Sequence, residues 1–205
     1  CTLSVPSPYN ALLTLRESYT FPRSVTSPTK YAGIQSCPQR FVVQVDGEGA
    51  ARVLSVRSPA ARIVREGVGT QPLLQPLLAG IRPGRHAPAF VEGGRRWWLA
   101  EFAEESAVRN WAPDHAAIAA LARADDALGL CVYARAAGTD YDLVVRAFPA
   151  GVGIVEDPAS GAANGLIGAY LAQREPHGGL ARGYRVSQGR ELGRDARITV
   201  RIEGP

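Results

Sequence analysis

The chain has 205 residues, 46% of them hydrophobic, and 23 Lys and Arg against 19 Asp and Glu, for a formal charge of +4. That apolar content suffices for a packed core in one large or two small domains, and no run of ~20 apolar residues or basic-then-apolar leader marks a membrane span or secretion signal. The arginines are spread along the chain without a basic cluster interleaved with aromatics, so nucleic acid is excluded as the expected partner and a cytoplasmic globular protein is the default.

Residues 1–38 differ in kind from the rest. They hold sixteen Ser, Thr and Pro residues and Lys30, the only lysine beside twenty-two arginines. Pro6, Pro8, Pro22, Pro28 and Pro38 predict an irregular segment, within which Asn10–Arg16 reads as one helical turn or a short strand. The sequence contains no methionine, so Cys1 is not an initiator and upstream sequence is expected to be missing. Cys1, Cys37 and Cys131 lack metal-like spacing, and Cys131 reads as a core residue. His86, His115 and His177 stand far apart and read as solvated or capping side chains.

From residue 39 the pattern is regular. Phe41–Val45 and Arg52–Arg57 predict strands joined through Asp46-Gly-Glu-Gly49. Pro59 ends that hairpin, and Gln71–Ala79 predicts a short helix limited by Pro76 and stopped by Gly80. Phe90-Val91 and Arg96–Phe102 flank Gly93-Gly94 as a second hairpin. On its second strand Trp97 and Trp98 face opposite ways, one toward the core and one toward an edge or interface. Pro113-Asp114 opens an amphipathic, peripheral helix with Ile118, Leu121 and Ala122 inward. Leu128–Tyr133, Tyr141–Phe148, Tyr184–Ser187 and a closing 197–202 complete the predicted strands.

The most informative stretch is Arg146–Leu171. Asp157-Pro158 keeps the chain out of helical geometry, Ser160 is a good N-cap, and a helix over about 161–173 follows that is apolar nearly all round, hence buried. Gly161 leaves the first N–H groups uncovered at the positive end of the dipole, with Glu156 and Asp157 at the mouth of an anion pocket.

Glu156-Asp157-Pro158-Ala159-Ser160-Gly161 resembles the EDPxTG motif of the PhzF-like (phenazine biosynthesis-like) isomerases. Ser187-Gln188-Gly189-Arg-Glu-Leu-Gly193-Arg194 resembles that family's QGxxxGR segment, with Asp195 and Ala196 where Pro and Ser are usual. The resemblance covers about 40–205 and corresponds to the family's C-terminal domain with its closing strand. It implies an α+β, diaminopimelate epimerase-like domain, a curved mixed sheet wrapped around a central buried helix. The implied division is 1–38, irregular, and 39–205, PhzF-like.

The resemblance also implies chemistry: cofactor-independent proton transfer on a small carboxylate metabolite, without a metal, in a cytoplasmic protein for which a homodimer is one option. Asp157 is the catalytic residue carried over, and Ser160, Gly161 and Ala162 are the substrate-binding positions. Ala162 stands where the family often has Ser, losing a hydroxyl donor but retaining its N–H. Leu15–Phe21 faintly resembles the family's catalytic Glu segment, which nominates Glu17. No Gly-His segment appears, and thirty-eight residues cannot form the family's N-terminal domain. The alternative readings are a non-catalytic anion-binding module and a degenerate fragment of such an enzyme.

Overall fold

A computed structural model of the chain describes residues 10–16, 43–46, 53–138 and 140–203. The strands are β1 (Asn10–Arg16), β2 (Val43–Asp46), β3 (Val53–Arg57), β4 (Arg62–Glu66), β5 (Ala89–Gly93), β6 (Arg95–Glu101), β7 (Gly129–Arg135), β8 (Leu143–Phe148), β9 (Gly183–Gln188) and β10 (Ala196–Glu203). The helices are α1 (Leu74–Leu77), α2 (Glu105–Asn110), α3 (His115–Ala124) and α4 (Gly161–Arg174). Among the described residues the strands form one mixed sheet of ten, ordered β2-β3-β1-β10-β9-β8-β7-β6-β5-β4. Only β6 with β7 and β8 with β9 run parallel.

Each parallel pair needs a crossover, since a short turn cannot return the chain to the same end of the sheet. α2 and α3 carry β6 to β7, and α4 carries β8 to β9. Both crossovers step the same way along the sheet, but β7 and β8 are antiparallel, so the two pairs point in opposite directions. Right-handed crossovers then place their helices on opposite faces. The side chains follow this arrangement. Trp97, Leu99, Cys131, Tyr133, Val145 and Ala147 join α4 in one core. Their alternates Trp98, Ala100, Leu130, Val132, Val144 and Phe148 join α1 and α3 in another.

This double cover corrects the expectation for the tryptophans. Trp97 and Trp98 are both fully buried, each in its own core. The peripheral helix is the lid of the second core: Ile118, Leu121 and Ala122 are its buried face, and Asp114 Oδ1 caps it by accepting from Ala117 N at 3.0 Å. Asp125, at its other end, accepts from Arg65, Gln71 and the Trp98 indole at 2.6, 2.7 and 2.7 Å, which satisfies the buried indole N–H.

α4 is buried from Ala163 to Ala172. It packs against β1 and β10 toward one end of the sheet and against β4, β5 and β6 at the other. α4 thus packs against strands from both parts of the sheet order. Two elements were not foreseen. β4 alternates poorly because Val64 stands at a register shift against β5, and Arg65 lies over the rings of Phe90 and Trp98 at 4.9 and 5.3 Å. α2 has six residues with only Val108 buried, too short to show helical periodicity.

Only part of the 1–38 stretch is described. Asn10–Arg16 takes the strand option, pairs with β3 and β10, and carries Leu13 into the α4 core at 3% exposure. The rest of 1–38, Glu17 included, lies outside the described residues. No helix among the described residues is long and apolar enough to cross a membrane.

Two outcomes follow. Leu166 is fully buried between α4 and the sheet, so Leu166→Ala should lower unfolding free energy by roughly 2–5 kcal/mol in urea denaturation. Burial alone would raise the Asp125 carboxyl, but the Arg65, Gln71 and Trp98 donors hold it below its ordinary value. A depressed carboxyl contributes stability that is complete above about pH 4 and is lost as pH falls through the lower folded value. Asp125→Asn should flatten that acid limb in a series of urea midpoints against pH.

Candidate functional site

The site loop begins where β8 ends. Asp157 N donates to Ala147 O at 2.8 Å, folding the loop back as an antiparallel bridge on the end of β8. Asp157 Oδ1 then accepts from Ala159 N at 3.0 Å, closing a side-chain turn over Pro158. Ser160 has extended dihedrals and caps α4, its Oγ accepting from Ala163 N at 3.3 Å and its carbonyl from Asn164 N at 3.2 Å.

These bonds account for the third and fourth N–H groups of α4. Those of Gly161 and Ala162 meet no acceptor among the described residues, and Gly161 is half-buried while Ala162 is exposed. Two outward-facing donors at a helix start attract anions. A Cβ on Gly161 would meet only Leu13 Cδ1, at 3.9 Å, so packing does not demand the glycine.

Glu156 is corrected. It is not at the mouth of the site: its carboxylate pairs with Arg146 through bonds of 2.9 and 2.8 Å, with 5% and 8% side-chain exposure. Arg146 also donates to the carbonyls of Val108 and Trp111 at 3.2 and 2.6 Å, which ties the loop to the end of α2. An acid so deeply paired is structural.

The two motifs meet. Gln188, at the end of β9, is fully buried; its Nε2 donates to Asp157 O at 2.7 Å and its Oε1 accepts from Asn164 Nδ2 at 2.9 Å. Asn164 Nδ2 also donates to Ser160 O at 2.8 Å. Gly189 has φ +88, and a Cβ there would stand 2.7 Å from Pro158 O, so only glycine permits this contact. Behind them Arg109 of α2 reaches Ser187 Oγ at 2.9 Å and Glu191 at 3.0 Å, and Tyr141 OH donates to Glu105 at 2.7 Å.

The structure thus brings Asp157, Ser160, Gly161 and Ala162 together, and Glu17 falls outside the described residues. Sequence reasoning missed Arg146, Asn164 and Arg109. Arg146 and Asn164 had a faint signal, a lone charge in an apolar strand and a lone amide in an apolar helix; Arg109 had none. His86 is likewise corrected: its Nε2 lies 2.6 Å from Glu175 Oε1, with the ring edge-on to Tyr170. Arg135 joins Glu175 to Glu101 in the same cluster. Clefts of about 620 Å³, between β4 and the end of α4, and about 280 Å³, beside Glu101 and Arg135, lie away from Asp157.

Compared with known proteins, residues 26–205 match the family model described as phenazine biosynthesis-like protein. A 59-residue stretch is 46% identical to the uncharacterized isomerase YddE of Escherichia coli strain K12, covering 28% of this chain and 20% of that protein. Antisense-enhancing sequence 1 of Schizosaccharomyces pombe is 24% identical over 118 residues, 57% of this chain and 38% of that one. Among solved structures, a PhzF-family phenazine biosynthesis protein of Bacillus anthracis superposes with a TM-score of 0.56 at 15% identity, over 79% of this chain and 60% of its own. The chain therefore spans under half the length of these curated relatives and somewhat more of the solved one.

Removing one partner of the buried Arg146–Glu156 pair leaves an uncompensated charge. Glu156→Gln should cost roughly 3–5 kcal/mol, as read by urea denaturation.

Proposed function

Because the chain belongs to the phenazine biosynthesis-like family, whose model matches residues 26–205, we propose that the start of α4 is the carboxylate-binding half of an isomerase site. The fold is read as the diaminopimelate epimerase type, on the support of a buried α4 flanked by strands from both parts of a mixed sheet. The reaction is cofactor-independent transfer of a hydrogen between carbons of a small, carboxylate-bearing metabolite.

The observation that carries this reading is the juxtaposition of two outward N–H groups, on Gly161 and Ala162, with the carboxyl of Asp157 on the adjoining turn. A substrate carboxylate accepts from the two N–H groups, and its negative charge is offset by the helix dipole. This orients the neighbouring carbon toward Asp157. Asp157 Oδ1 is fixed by Ala159 N, while Oδ2 has no partner among the described residues and is the atom that takes or returns the proton. As charge develops on the substrate during deprotonation, the same two N–H groups stabilise it. Moving a hydrogen from one carbon to another is served by a second acid opposite Asp157; within this chain Glu17 is the candidate. A cytoplasmic location and a homodimer belong to the same proposal.

The test is NMR titration of the ¹⁵N-labelled chain with sulfate and with aromatic carboxylates, followed by deuterium exchange into the carboxylate. Sulfate should shift the Gly161 and Ala162 amides, and unmoved amides at millimolar ligand would sink the reading. Gly161→Ala should weaken binding while changing stability by no more than about 1 kcal/mol, since alanine favours the helix. Asp157→Asn should strengthen sulfate binding, because it removes a negative charge beside the two N–H groups while keeping the shape. Carbon-bound hydrogen should exchange slowly in the chain by itself. Rapid exchange would place the second acid within it, with Glu17 the first residue to replace.

A further inference from the structure

Gln188 is fully buried and its amide is used at both ends. Its N–H donates to the carbonyl of Asp157, and its oxygen accepts from Asn164, whose amide nitrogen also donates to the carbonyl of Ser160. One side chain from β9 therefore holds the site loop at Asp157 directly and at Ser160 through Asn164, on either side of Pro158 and Ala159. Asp157 O fixes the peptide plane that follows Asp157, and with it the direction from which the Asp157 carboxyl leaves the chain. Ser160 O is also the first acceptor of the α4 ladder, taking the backbone N–H of Asn164 at 3.2 Å. Its placement fixes how the Gly161 and Ala162 donors are aimed. Arg109 holds the preceding residue through Ser187 Oγ, and the contact of Gly189 with Pro158 closes the other side, so Gln188 does not float.

We propose that Gln188 is a positioning residue, whose amide sets the Asp157 carboxyl and the Gly161–Ala162 donors in register with one another. The proposal rests on the reading of those donors as an anion site. The chemistry is specific to an amide. It must present a donor toward Asp157 O and an acceptor toward Asn164 at once, which glutamine does and an ionised glutamate does not. A carboxylate in its place sets oxygen against oxygen at Asp157. A protonated carboxyl restores both bonds, because its hydroxyl donates and its carbonyl accepts.

The test compares Gln188→Glu and Gln188→Leu with wild type in the full 205-residue chain, with sulfate as the probe. Without ligand, both variants should shift the Ala159 and Gly161 amide resonances and speed hydrogen exchange at Ala159 N–H. With sulfate, both should bind about tenfold more weakly near neutral pH, the scale of one buried polar group left unpaired. As pH is lowered the glutamate variant alone should regain wild-type affinity, at a pH above the ordinary glutamate range because burial raises a carboxyl. A merely structural role would leave both variants weakened alike at every pH. Wild-type amide shifts and sulfate affinity in both variants would overturn the proposal, as would a glutamate variant that shows no recovery. Should Gln188→Leu not fold, Asn164→Ala takes its place; it should shift the Gly161 amide but spare Ala159. If wild type does not bind sulfate, the anion-site reading fails, and the ligand-free shifts still decide the role of Gln188.

Discussion

The constraint on which the site depends is the parallel pairing of β8 with β9. Because they are parallel and adjacent, the segment between them must cross back over the sheet, and α4 is that crossover. The crossover leaves from the carboxyl end of β8 and enters β9 at its amino end, so the loop that starts α4 and the turn that follows β9 emerge at the same edge. That is why Asp157-Pro158 and Gln188-Gly189, thirty-one residues apart between the hydrogen-bonded pair, are in contact. Ligands of open sheets gather at the carboxyl ends of parallel strands for the same topological reason.

Burial then dictates the polar wiring. A loop pressed against a sheet covered on both faces cannot leave its carbonyls to water, and each needs a donor. Arg146 is the largest supplier. Its guanidinium meets Glu156 with two bonds and still reaches the Val108 and Trp111 carbonyls, a division of donors that the ammonium of a lysine could not make in a fixed plane. The Trp111 carbonyl just past α2 is thereby satisfied from β8, and the Val108 carbonyl, which already accepts from Trp111 N at 3.4 Å, gains a second donor. Arg109 makes the reciprocal link from α2 to Ser187 and Glu191. The short helix between the two arginine contacts is a brace for both motif loops.

Much of this was legible in the residues. The strands from β5 to β10 and the caps at Asp114 and Ser160 follow local rules of alternation, turn chemistry and N-capping, and the structure shows them within a few residues. The grouping of Asp157, Ser160, Gly161 and Ala162 was legible because the four lie within one turn. What escaped depends on distance in sequence. Glu156 looked as available as Asp157, since nothing local reveals that Arg146 lies across the loop. β4 escaped because its register shift breaks the alternation, and the burial of both tryptophans escaped because a helix on each face is a property of the whole sheet. Asn10–Arg16 carried both of its options, and the pairing with β3 and β10 chose between them.

The division of labour between neighbouring acids follows from the same geometry. Glu156 and Asp157 are adjacent, so their side chains leave opposite sides of an extended backbone. One side faces the β8 surface, where Arg146 neutralises a carboxylate that could not otherwise be buried. The other faces the turn over Pro158, where a single backbone N–H takes one oxygen. An acid of the first kind has both oxygens engaged, and one of the second kind keeps an oxygen without a partner among the described residues. Pro158 enforces the distinction: it holds Asp157 in extended geometry, so the two carboxyls cannot rotate onto one face as they would in a helix. The Asp-Pro step is therefore more than a helix stop, for it separates a carboxylate buried in an ion pair from one with an oxygen unpartnered among the described residues at consecutive positions.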